Sequence, residues 1–172
     1  MHLHLFVTLR AIHVLAGSLW VGAAVLNAAF VMPSMMAVGP AGAQVMRVMA
    51  QVRRLPVFMN TVMLTTIVTG AWLYWVDSGG LRISWIRSGT GLAFTLGALL
   101  ALVTAILGFT VTVPSVKRLG QVGAAVATSG GTPSPQQAAE VAALQRKLLG
   151  TARLGATLAA AAALLMAVAR FV

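Results

Sequence analysis

Residues 11–32 read AIHVLAGSLWVGAAVLNAAFVM, lie between Arg10 and Pro33, and hold no charged side chain and a single imidazole, His13. An α-helix needs about 20 consecutive apolar residues to cross about 30 Å of hydrocarbon, and this stretch supplies them. Three more uncharged intervals follow, at 55–76, 88–116 and 154–169. The last is short, and it reaches across only if Arg153 and Arg170 extend to opposite interfaces. Hydrophobic residues make up 59% of the chain and charged ones 8%. With a mean hydropathy of +0.94, a soluble domain of this length would be covered with apolar patches. The expected fold is therefore an all-α integral membrane four-helix bundle, antiparallel, in one domain over residues 1–172. Its spans are placed at roughly 5–32, 55–76, 88–113 and 148–170, with a long loop over 114–147. The N-terminal MHLHLFVTLR resembles the basic start of a signal peptide, but the apolar run behind it is too long and lacks a small-x-small exit, so a retained helix is expected.

Lysine and arginine set the expected orientation. The first connection carries Arg47, Arg53 and Arg54; the third carries Lys117, Arg118, Arg146 and Lys147, with Arg153 at its edge. The second has only Arg82 and Arg87, offset by Asp77. The positive-inside rule puts the first and third connections in the cytoplasm of a bacterial-type inner membrane and leaves both termini outside. Trp72, Tyr74, Trp75 and Trp85 cluster at the second connection, as an outer interfacial belt would. The net charge of +10 then reads as orientation and attraction to anionic lipid, with no nucleic-acid partner.

The third connection is expected to be a helical hairpin projecting inward. Its centre, ATSGGTPSP, is a flexible turn. Ser134, Pro135 and Gln137 form a capping-box pattern that starts the fourth helix near residue 135, and Pro114 kinks the third. Gly97, Ala101, Ala105 and Gly108 form a small-residue stripe suited to close helix packing, and Thr61, Thr65 and Thr69 form a threonine stripe read as structural.

Arg10, His13, Gly17, Trp20, Ala24 and Asn27 recur at intervals of three and four, so they share the polar face of the first helix. An ionisable side chain in hydrocarbon is expensive and marks a candidate site, although a structural hydrogen bond for His13 and simple volume-filling by Trp20 is the alternative. Met166 lies four residues inward of Arg170, as His13 lies three inward of Arg10, so the two share a depth on the terminal helices. His/Met is an axial pair for haem iron, which makes haem b the expected cofactor, with Arg10 or Arg170 available to its propionates. A homodimer would instead supply a second His13. Seven of the nine methionines fall between residues 32 and 63, and Met32, Met35 and Met36 make an alternative Cu(I) site, since thioethers favour that ion.

The runs RAIHVLAGSLWVGAAVLNAAFVMP and VMAQVRRLPVFMNTVMLTTIVTGAWLY resemble the small four-helix membrane proteins around the CopD copper-resistance family and HemJ, the haem-pathway protoporphyrinogen oxidase. The resemblance covers roughly residues 9–95. It implies that His13 matches the first-helix histidine that binds haem in HemJ-like proteins, and that Gly70, Trp72 and Tyr74 match a glycine-aromatic pattern ending the second helix. In the WLxxK pattern of HemJ, Trp85 and Ile86 match but Gly89 stands in place of the lysine, which argues against protoporphyrinogen oxidation here.

Asp77 and Glu140 are the only carboxylate side chains, and with no cysteine there is no thiolate chemistry. Any catalysis would belong to a cofactor, and the expected function is haem b binding with an electron-transfer or haem-linked redox role, its redox partner unspecified. Copper handling and a cofactor-free scaffold are the alternatives. The orientation has a direct check: a reporter active only outside the cytoplasm should work when fused after Val172 and fail when inserted at Gly130, and the opposite pattern would reverse the assignment.

Overall fold

Four long apolar helical rods run Leu3–Ala37, Leu55–Asp77, Gly89–Thr128 and Pro135–Phe171, each long enough to cross a bilayer. The computed structural model describes residues 2–172, the side chain of His2 excepted. The rods comprise α1 (His2–Leu26), α2 (Met32–Ala37), α4 (Leu55–Asp77), α6 (Gly89–Leu107), α7 (Val113–Thr128) and α8 (Pro135–Val168), and the connections hold α3 (Pro40–Gln51) and α5 (Ile83–Ile86). The protein is an all-α four-helix bundle of the multi-pass membrane type.

Its surface is inverted relative to a soluble bundle. Val68 is 66% exposed and Leu164 68% exposed, each in an uncharged stretch of its rod, so the outer wall there is fit only for hydrocarbon. The interior is built largely from small residues, among them Ala93, Ala105, Ala156, Ala159 and Ala162. Lipid tails are as apolar as leucine, so association depends on close backbone approach rather than on hiding apolar area. At Gly97 an added Cβ would lie 3.2 Å from the Ala162 carbonyl oxygen, which shows how near α6 comes to α8. Helices α1 and α4 pack along each other, as do α6 and α8, and α1 also packs on α8. The consecutive spans α4 and α6 touch only sparingly.

Two prolines give a result the sequence did not announce. The first span was expected to stop before Pro33, yet the rod runs on through α2 to Ala37. A π turn at Asn27–Val31 precedes it, with the Met32 N–H donating to the Asn27 carbonyl, and a second at Gly108–Thr112 precedes Pro114, with the Val113 N–H donating to Gly108. A proline ring clashes with the carbonyl four residues back; a turn widened to i+5 relieves the clash and lets the helix continue.

The stretch 114–147, placed in a loop by its charges, is helical except for residues 129–134. α7 and α8 form the expected hairpin. Gly130 and Gly131 adopt φ of 96° and 81° at its tip. Ser134 Oγ then accepts from the Gln137 N–H at 3.2 Å, and its own N–H donates to Gln137 Oε1 at 2.9 Å, closing the capping box. Arg118 grips Glu140 with both Nε and Nη2, the latter at 3.1 Å. This pair is exposed, so solvent screens it and it adds little to stability. The first connection is also helical, because Gly42 lets α3 settle against the Met35 backbone, where a Cβ would overlap.

The turn α5–α6 is as tight at Gly91, where a Cβ would overlap the Trp85 carbonyl. Gly91→Ala should destabilise the bundle by about 1–3 kcal/mol. Gly120→Ala, inside α7 with open space around the new methyl, should stabilise it by about 0.5–1 kcal/mol. Thermal unfolding in mild detergent reads both, and equal midpoints would refute the packing at Gly91.

Candidate functional site

The polar stripe of α1 faces inward. Arg10, His13, Gly17 and Trp20 all line one half-open cavity of about 1140 Å³, which also has walls from α4, α6 and α8. That is slightly more than the ~300–1,000 Å³ of ordinary small-molecule pockets. Met166 and Arg170 line it as well. The sequence-derived set Arg10, His13, Trp20, Met166 and Arg170 is thus brought together around a single space.

His13 is seated by α4. Its Nδ1 lies 2.9 Å from the Thr66 carbonyl oxygen and 3.2 Å from Thr69 Oγ1. A carbonyl oxygen can only accept, and the Thr69 hydroxyl already donates to the Thr65 carbonyl at 2.6 Å. Nδ1 must therefore carry the proton, and in the neutral ring the lone pair sits on Nε2. Nε2 has no hydrogen-bond partner among the described residues. The ring fits because residue 70 is glycine: a Cβ there would lie 2.7 Å from His13 Cε1.

Met166 has an equivalent seat on α6. A Cβ on Gly97 would lie 3.0 Å from Met166 Cγ and 3.2 Å from its Cε. Each candidate ligand thus occupies room left by a glycine on the neighbouring helix. Toward the α7–α8 hairpin the cavity ends at Trp20, which is 6% exposed and packs in a cluster with Val62, Met63 and Ala105. Toward the chain termini it is bounded by Tyr74, Trp85 and Phe94. Tyr74 meets Trp85 edge-on at 5.4 Å, and Trp85 stacks on Phe94 at 6.3 Å. Thr95 Oγ1 donates to the Gly91 carbonyl at 2.6 Å, so the Tyr74 hydroxyl is the donor in its own 2.6 Å contact with Thr95.

Asp77, read from the sequence as a loop residue, is the last residue of α4 and borders the cavity with Arg10 and Arg170. The rim thus holds two cations and one carboxylate. The threonine stripe is corrected too. Thr61 is exposed, while Thr66 and Thr69 are the buried pair that meets His13. Thr66 and Gly70 were missed as a pair, and their spacing of four, one helical turn on one face, was the available signal. Met32, Met35 and Met36 share one turn of α2, beyond the cavity wall. His4 is exposed near the start of α1, and the His2 side chain lies outside the described residues. Among the described residues no three His, Cys, Asp or Glu side chains gather as a metal site.

Gly70→Ala should drive the His13 ring off Thr66, whereas Thr69→Val should leave the Nδ1–H tautomer in place because the stronger carbonyl partner remains. Imidazole ¹⁵N shifts of His13-labelled protein check this: the wild type and Thr69→Val should share one tautomer pattern, and Gly70→Ala should lose it.

Comparison with protein-family models, curated proteins and solved structures gives no match to this chain.

Proposed function

We propose that this is an integral membrane haem b-binding protein with an electron-transfer or haem-linked redox role, seated in a bacterial-type inner membrane with both termini outside. The observation that carries the reading is the fixed tautomer of His13. Its Nδ1–H is committed to the Thr66 carbonyl, and Nε2 is left as an unpaired donor atom on a residue that lines a large apolar cavity. Metal-binding histidines are held in this way, with one ring nitrogen bonded to a backbone carbonyl and the other free for the metal.

The rest of the donor set fits the same group. Met166 borders the same cavity as the candidate sixth ligand, and a His/Met pair raises the reduction potential relative to two histidines. Arg10 and Arg170 at the rim would hold the propionates, with Asp77 beside them tempering the positive field. Bound haem supplies one-electron chemistry between ferric and ferrous iron. The chain itself would ligate, orient and exclude water. The resemblance to CopD-like and HemJ-like proteins at His13 points the same way, and Gly89 in place of the lysine keeps protoporphyrinogen oxidation out of the proposal.

The visible spectrum is the test. Protein purified in mild detergent after expression with haem available should show a Soret band. His13→Ala should abolish the band or convert it to a high-spin form while the helical circular dichroism stays unchanged, because among the described residues no other imidazole lines the cavity. Met166→Leu, nearly isosteric, should shift the spectrum if the thioether is the sixth ligand. A colourless wild-type protein would refute the haem reading.

A further inference from the structure

The seam between α4 and α6 differs from the others. α1 lies along α4, α6 along α8, and α1 along α8, but α4 and α6 barely meet although they are consecutive spans. Two bridges span them. Near the chain termini the Tyr74 hydroxyl holds Thr95. Toward the hairpin, Ile67 and Ala101 both pack on the Trp20 cluster. Between these bridges the cavity wall and the outer surface are formed by the same residues. Ala71 on α4 and Leu99 on α6 line the cavity, yet both are exposed, Leu99 at 53%. The seam lies in the apolar stretch of both rods, so it faces acyl chains rather than water.

The polar groups of the cavity are graded along its length. Arg10 and Arg170 stand at the terminal rim, where the membrane interface would lie. The walls below are mostly apolar, their polar groups being His13, Ser18, Thr66, Tyr74 and Thr95. A molecule matching this gradient has a large apolar body and an anionic end, and such a molecule partitions into the bilayer with its charge at the headgroups. We infer that the cavity takes its ligand laterally from the bilayer, through the α4–α6 seam at Ala71 and Leu99, with the anionic end of that ligand left at Arg10 and Arg170. The occupant is an anionic amphiphile. Naming it as haem rests on the function proposed above, whereas the seam and its direction do not.

The chain has no cysteine, so a pair can be introduced cleanly. Ala71→Cys with Leu99→Cys, joined by a bifunctional thiol reagent with a cleavable spacer, closes the seam without altering a ligand residue. Haem-loaded liposomes are mixed with liposomes holding the haem-free protein. The open protein should develop a Soret band; cross-linking should slow its appearance by about tenfold or more, and cleaving the spacer should restore the rate. Equal rates in the open and cross-linked forms would overturn lateral loading. A second measurement does not depend on haem. A long-chain carboxylic acid bearing a diazirine, dissolved in the same bilayer, should label the α1 wall between Gly17 and Trp20 on illumination, and the cross-link should suppress that labelling. If no Soret band forms even in the open protein, the haem reading fails and the labelling alone decides. Labelling that the cross-link blocks keeps the lateral route for an anionic amphiphile, and labelling that is absent or indifferent to the cross-link overturns it.

Discussion

A polar side chain inside hydrocarbon can bond only to protein, and His13 meets that constraint by giving its Nδ1–H to the backbone carbonyl of Thr66. Much of the site follows from this contact. It docks α1 on α4 at a defined depth and demands a glycine at position 70 so that the ring can reach the α4 backbone. It also settles which ring nitrogen keeps a lone pair. A lysine or glutamine here would have several ways to satisfy itself, while imidazole has one donor to place in its neutral form, and placing it leaves one acceptor. The structural and ligand readings of the histidine are therefore compatible: the structural hydrogen bond is what would orient the ligand atom.

The cavity is the complement of how the helices pair. Close packing in a membrane needs small residues, and these join α6 to α8, with Gly97 against Ala162 and Gly155 against Thr104. α4 and α6 carry no equivalent run toward each other, and their seam is held by one aromatic bridge and one core cluster. Larger side chains, Trp20, Tyr74, Trp85 and Phe94, bound the space without filling it. The second glycine seat, under Met166, repeats the device at His13 on the opposite side of the cavity.

The two π turns belong to the same economy of backbone hydrogen bonds. Pro33 and Pro114 each remove a donor, and in hydrocarbon or at its edge the lost bond has no water to replace it. Widening the preceding turn keeps both rods continuous, which is why α2 and α7 extend beyond the apolar stretches. In this account the Asn27 side chain, whose Oδ1 is buried without a partner among the described residues, marks where the first of these turns begins.

Spans, hairpin, capping box and the inward stripe of α1 were readable in the amino-acid order, because each depends on local spacing: an uncharged run of sufficient length, a Ser-Pro-x-Gln start, polar residues at intervals of three and four. The expectation of a common depth for His13 and Met166 rested on rise per residue from a flanking arginine, and the structure places both on the wall of one cavity. Thr66 was not. Its part is played by a backbone carbonyl, which every residue has and no residue type announces. Gly70 and Gly97 carry meaning only once the side chains opposite them are known, and Asp77 moves from loop to cavity rim because α4 ends one residue later than its charge suggests. Which helices pair, and hence where the bundle stays open, was decided by tertiary packing alone, because apolar helices look alike along the chain and differ only in what their faces meet.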